Sequence, residues 1–232
     1  MSAPLVSLGR PGRTRSLLCA FLLIVPAGIV VRDSCFCQTG KSAREFLPAD
    51  LVEITLLDST IRLDIRYATE NNFMGRRMYS AARAFLQRSA AEALVRVNAK
   101  LRPHGYGLLV FDGYRPWSVT KRFWDETPVE KRSFVADPKV GSRHNRGCAV
   151  DLSLYALASG REVEMPSPYD EFSARASPEF DGGTGDQRKM RDLLRGAMES
   201  EGFSVNSGEW WHFDYKEWED YEILDLKFEE IK

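Results

Sequence analysis

The chain has 232 residues, 44% hydrophobic and 28% charged, enough apolar material for one sizeable buried core. Its formal charge is −1, and no basic stripe interleaves with aromatics, so there is no electrostatic case for nucleic-acid binding. In chain order, Arg10, Arg13 and Arg15 precede any acidic residue, and an apolar run from Leu17 to Val31, broken by Pro26, follows. That run is shorter than the roughly 20 residues of a membrane span. Residues 1–37 therefore read as a secretory signal with a periplasmic destination, the alternative being an uncleaved leader that anchors the chain in a membrane. No Ala-x-Ala site stands out near Cys35-Phe36-Cys37, and Arg32 spoils a lipoprotein pattern. Removing the leader takes Cys19, Cys35 and Cys37 with it. Cys148 then has no intrachain partner and reads as a small packed residue rather than a ligand or nucleophile.

Residues 38–48 are polar, end at Pro48 and read as a linker into a single domain over 49–232. Leu51–Leu57 and Ile61–Ile65 alternate apolar and polar residues, predicting two strands joined by a turn at Asp58-Ser59-Thr60. Ser80–Leu101 has helical spacing through Phe85, Leu86, Ala90, Leu94, Val97 and Leu101, with Ser80 as N-cap and Gly105 past the far end. Gly107–Phe111 predicts a strand and Trp117–Asp125 a short helix. Residues 126–143 read as a loop delivering His144, and Ala149–Tyr155 as a strand. An irregular stretch over 156–185 ends in a glycine cluster that lacks the Lys-Ser/Thr of a phosphate loop. Asp186–Glu201 predicts an amphipathic helix and Glu209–Tyr215 a last strand. The expected fold class is α+β, with a central, mainly antiparallel sheet flanked by helices.

Two segments carry chemistry. Ser142-Arg143-His144-Asn145-Arg146-Gly147-Cys148-Ala149-Val150-Asp151 and Glu209-Trp210-Trp211-His212 hold two of the chain's three histidines beside two carboxylates. Three protein ligands with an open position, and a Glu to take a proton from water, are the parts of a mononuclear zinc hydrolase. His144 and Asp151 suit a loop feeding a strand, with Gly147 allowing a sharp turn or a close approach. Glu209 and His212 sit three apart, so on a regular strand they would face opposite ways. A bulge, or a loop position for Glu209, must reconcile them. Arg115, between Gly113 and Pro116, could stabilise a developing oxyanion, or could simply pair with Asp112. His104, at a helix end, reads as a solvated capping residue.

Together, Phe-Asp-Gly-Tyr-Arg-Pro at 111–116, Ser-x-His-x-x-Gly-x-Ala-x-Asp at 142–151 and Glu-Trp-Trp-His at 209–212 resemble the D-alanyl-D-alanine dipeptidases of the VanX type. These are zinc enzymes of the DD-peptidase and Hedgehog-like fold. Asp64-Ile65-Arg66-Tyr67-Ala68-Thr69 with Asn72-Phe73-Met74-Gly75 is similar to that family's N-terminal block, and the likeness runs from about residue 50 to about 218. The resemblance implies one Zn2+ per chain held by His144, Asp151 and His212, Glu209 as base and Arg115 as transition-state stabiliser. It implies Asp170 as the carboxylate for the substrate's ammonium, and Ser142 and Tyr67 as further lining of the pocket. The implied substrate is D-Ala-D-Ala. A DD- or LD-carboxypeptidase acting on peptidoglycan stem peptides is the alternative, and a non-catalytic zinc-stabilised module would need neither Glu209 nor Arg115. Two departures stand out. Pro166 follows Met165 where the family often has Gly, and the leader contrasts with the family's cytoplasmic resistance enzymes. Neither sequence nor resemblance fixes the oligomeric state.

Overall fold

The computed structural model describes residues 45–231. The leader, Cys19, Cys35, Cys37 and most of the expected linker lie outside the described residues. The last linker residues are tied down: the Leu47 amide donates to the Asp220 carbonyl at 2.8 Å, and Leu47 bridges Tyr221.

Eleven elements frame the described chain: β1 (Leu51–Glu53), α1 (Ile54–Leu57), β2 (Arg62–Leu63), β3 (Phe85–Gln87), α2 (Arg88–Leu101), β4 (Tyr106–Asp112), α3 (Trp117–Glu126), β5 (Ala149–Ala156), α4 (Gly185–Glu199), β6 (Phe203–Asn206) and β7 (Glu209–Tyr215). Strands β2-β4-β5-β7-β6 make the main sheet, parallel only at β2–β4, while β1 and β3 pair separately and antiparallel. The α+β class with a mainly antiparallel sheet is therefore as expected.

Several boundaries differ. The expected strand 51–57 turns helical at Ile54, which is fully buried and donates its amide to the Ala84 carbonyl at 3.0 Å. The expected helix from Ser80 starts only at Arg88. Phe85–Gln87 is a strand, and Ser80 hydrogen-bonds the Glu229 carboxylate instead of capping. Phe85 and Leu86 satisfy either period, and pairing with β1 decides between them. Strand β6 was not expected. α4 begins at a capping box in which the Thr184 hydroxyl accepts from the Gln187 amide at 3.1 Å and Gln187 Oε1 accepts from the Thr184 amide at 2.8 Å.

α2 and α4 pack together on one face of the sheet. Leu94, Val97 and Leu101 of α2 and Leu194 and Met198 of α4 meet Leu108, Val110, Leu152 and Leu154, all fully buried. The opposite face carries Leu109, Phe111 and Tyr155 as a smaller cluster. Where that second face continues toward the strand ends it becomes polar, and there the register matters. Asp151 of β5 stands directly opposite His212 of β7, and also opposite Asp112 of β4 after an irregularity between Val110 and Asp112. The extra residue, Phe111, rephases β4, so Asp112 joins the row that strict alternation would deny it. Among the described residues, no helix is long and apolar enough to cross a membrane.

Candidate active site

His144 arrives on a tight turn. Arg143–Arg146 form a 3-10 helix whose cap is reciprocal: Ser142 Oγ accepts from the His144 amide at 3.2 Å, and Asn145 Oδ1 accepts from the Ser142 amide at 2.8 Å. Gly147 closes the turn at φ +69, and a Cβ there would lie 2.5 Å from Leu51 Cδ2. Both uses foreseen for this glycine are thus in force. The Arg115 amide donates to the His144 carbonyl at 3.1 Å, and Asn145 Nδ2 donates to the Arg115 carbonyl at 2.8 Å. The two loops are stitched together by one backbone bond and one side-chain bond.

His144 Nε2 and His212 Nδ1 lie 3.3 and 3.0 Å from Asp151 Oδ1 and 3.1 Å from each other. Their outer nitrogens fix the tautomers. His144 Nδ1 faces the Gly113 carbonyl at 2.7 Å and His212 Nε2 faces Asp214 Oδ1 at 3.0 Å, so each outer position carries the proton. With both rings neutral, two imidazole lone pairs and a carboxylate oxygen then converge with no donor among them, and Asp151 Oδ1 is buried without a hydrogen-bond partner. Three acceptors aimed at one point need a cation. The set, with ligand atoms all within 4.8 Å, fits a divalent metal with N/O preference such as zinc. The same geometry shapes the proton affinities. Burial opposes charge on His212, but Asp151 and Asp214 outweigh it and raise its pKa well above an ordinary imidazole, so without a cation the inner nitrogen takes a second proton that a metal must displace. Asp151 is pushed far below the carboxylate range because His144 and His212 outweigh its burial.

Glu209 opens β7 with its side chain about a quarter exposed (27%), Oε2 3.8 Å from His212 Nδ1. The foreseen irregularity is there: β6 and β7 pair Val205 with Phe213 but Asn206 with Glu209. The extra β7 residues bring Glu209 and His212 to the same side. Burial raises the Glu209 pKa, with His212 acting against it.

Arg115 is 8% exposed and pairs with Asp112, Nε and Nη2 lying 3.0 and 2.7 Å from Oδ2. That contact, weighed in the sequence as an alternative to a site role, is made by a side chain that also lines the cleft, with Nη2 3.8 Å from Asp151 Oδ2. Asp112 in turn accepts from the Tyr79 hydroxyl at 2.8 Å and the Gly113 amide at 2.9 Å. Asp170 has φ +60, the lone non-glycine positive φ among the described residues. Its carboxylate accepts from the Tyr67 hydroxyl at 3.0 Å. Burial, then the charge of Asp151, raises its pKa well above the usual value.

Tyr67, Arg115, Ser142, His144, Asp151, Asp170, Glu209 and His212 all line one cleft of about 540 Å³. Phe73, Phe134 and Phe172 wall it further out, Phe134 stacking on Phe172 with ring centroids 4.7 Å apart. Cys148 is buried, its thiol pushed up to about 12 by burial, and it takes no part in the metal-type cluster. His104 is exposed and outside the cleft. Sequence reasoning missed Asp214, Tyr169 and the Gly113 carbonyl. Asp214 could have been found as the next same-face residue after His212 on a strand. A carbonyl has no signature in sequence.

The chain matches the M15 peptidase family, described as D-ala-D-ala dipeptidase, over residues 48–228. It is 30% identical over 179 residues to the D-alanyl-D-alanine dipeptidase of Escherichia coli (strain K12), covering 77% of this chain and 91% of that protein. The D-alanyl-D-alanine dipeptidase of Enterococcus faecium is 33% identical over 186 residues, 70% of this chain and 91% of that protein. That of Streptomyces coelicolor is 31% identical over 195 residues, 74% and 94%. The matched span contains every residue of the converging cluster and its neighbours, so the chain belongs to the D-Ala-D-Ala dipeptidase family of M15 peptidases and is a metallopeptidase that hydrolyses a dipeptide.

Proposed function

We propose that this chain hydrolyses D-Ala-D-Ala with one zinc ion held by His144, Asp151 and His212. The observation that carries the assignment is the convergence of two imidazole nitrogens, whose outer partners each take a ring proton, and an unpartnered carboxylate oxygen on one point. A zinc ion held by those three side chains would supply an acidified water and would polarise the scissile carbonyl. The protein's own groups do the rest. Glu209, partly open to the cleft and raised in pKa by burial, takes a proton from the attacking water and returns it to the leaving amine. Arg115 is held by Asp112 through Nε and Nη2, which leaves Nη1 to meet the charge that develops on the carbonyl oxygen.

Asp170 and Tyr67 receive the substrate's free ammonium. An acylated amine would leave the Asp170 carboxylate with the Tyr67 hydroxyl but no counter-charge, a penalty that confines the enzyme to dipeptides. The basic, apolar leader supports an exported enzyme that trims wall-derived dipeptides outside the inner membrane, rather than one draining a cytosolic pool.

The test is release of D-alanine from D-Ala-D-Ala and from its N-acetyl form by zinc-loaded protein, with Glu209→Gln alongside. Cleavage of the free dipeptide alone is expected, with Glu209→Gln keeping its zinc and losing several orders of magnitude in turnover. Equal cleavage of the acetylated form would make the chain a carboxypeptidase, and near-normal turnover by Glu209→Gln would remove it as the base.

A further inference from the structure

Asp151 treats its two oxygens differently. Oδ1 is buried, makes no hydrogen bond and faces both imidazoles. Oδ2 accepts from the Tyr169 hydroxyl at 3.0 Å. Arg115 Nη2, at 3.8 Å, stands on the Oδ2 side but beyond hydrogen-bond range. Among the described residues, the phenol is therefore the neutral donor that distinguishes the two oxygens.

Its own placement is well determined. The Tyr169 ring lies against Phe111 with centroids 4.7 Å apart and meets Trp211 edge-on at 5.5 Å. In extended chain, neighbouring side chains point apart. Here the left-handed φ of Asp170 lets Tyr169 reach the sheet while Asp170 turns to Tyr67. A strained backbone residue held between two such contacts is a mark of a built site.

We propose that Tyr169 is a positioning residue for the metal-binding carboxylate: its hydroxyl occupies Asp151 Oδ2, so that only Oδ1 is offered to the cation between the imidazoles. An untethered carboxylate can rotate or close around an ion with both oxygens, and either motion spoils the alignment with the two histidines. Fixing a ligating carboxylate through its other oxygen is how outer hydrogen bonds set metal affinity. This inference rests on the ligand set proposed above and adds a residue to it.

The test is Tyr169→Phe, which deletes one oxygen and keeps the ring in place. Zinc affinity is measured by competition with a chromophoric chelator, and the cobalt(II)-loaded protein is read by its visible absorption. The expected result is a zinc Kd raised roughly 10- to 100-fold, with altered cobalt bands. An unchanged Kd and an unchanged cobalt spectrum would overturn the proposal, because a ring that only packs would leave both alone. His144→Ala serves as the control. If it loses the metal while Tyr169→Phe matches wild type, the ligand set stands and the role of Tyr169 falls. If His144→Ala binds zinc as well as wild type, the ligand set fails and takes this inference with it.

Discussion

Asp112→Asn tests how Arg115, proposed above to meet the developing oxyanion, is held. The two side chains are 1% and 10% exposed, and Asp112 Oδ2 accepts both Arg115 contacts while Oδ1 serves Tyr79 and Gly113. An asparagine keeps the shape and one oxygen. With Oδ1 retained by Tyr79 and Gly113, its amide nitrogen faces the guanidinium, donor against donor, and Arg115 becomes a buried charge without its partner. Breaking a buried pair from one side costs about 3–5 kcal/mol. With a urea slope of roughly 2 kcal/mol per molar for a domain of this size, the midpoint should fall by roughly 1.5–2.5 M. The measurement belongs on metal-free protein, so that zinc binding does not enter the equilibrium. Arg115→Met in the same background removes the stranded charge. The double variant should be more stable than the sum of the singles by on the order of 2–3 kcal/mol. A loss under about 1 kcal/mol, the size of an exposed ion pair, would refute the reasoning, as would strict additivity.

Two further outcomes follow from the same physics. Asp170→Asn should stabilise the metal-free protein at pH 7–8 by roughly 0.5–2 kcal/mol while abolishing preference for a free amino end. Burial and the Asp151 charge raise the Asp170 pKa, so ionising it costs folded-state stability above that raised pKa. Below the unfolded value, near about 3.9, both states are protonated and the difference vanishes. Asparagine also suits φ +60. Thermal melts across that range check it, and an unchanged or lowered midpoint at neutral pH counts against it. Cys148, with its thiol pushed up to about 12 by burial, should escape alkylation in the native protein and react fully in denaturant. Peptide mapping after iodoacetamide reads this directly, and native labelling would mean the core opens there.

The parts legible in the sequence were those with one dominant signal. β4, β5 and β7 read correctly because their apolar runs are bounded by turn residues, and α3 and α4 because their apolar faces recur at helical spacing. The converging His144, Asp151 and His212 were legible because histidine is scarce here, so two of three imidazoles beside carboxylates stood out. Phe85–Gln87 was not, since three residues before a helix fit either period and only β1 chooses between them. The supports of the site were the least legible. Tyr169 looks like any half-buried aromatic until Asp151 is seen beside it, and Asp112 reads as a turn residue until Phe111 rephases its strand.

Asp112, Asp151 and His212 stand side by side on β4, β5 and β7, although a hundred positions separate the first from the last along the chain. Their spacing is that of neighbouring strands, a constant of the hydrogen-bonded backbone and independent of any loop. The aromatic walls of the cleft, by contrast, come from the connections around Phe73, Phe134 and Phe172. Those connections can lengthen, shorten or change composition, redrawing the room available to a substrate, while the sheet keeps Asp112, Asp151 and His212 in place. The strand-borne part of the site and the aromatic walls of the cleft are thus written in separate parts of the chain, and His144 and Arg115 join the two from their loops.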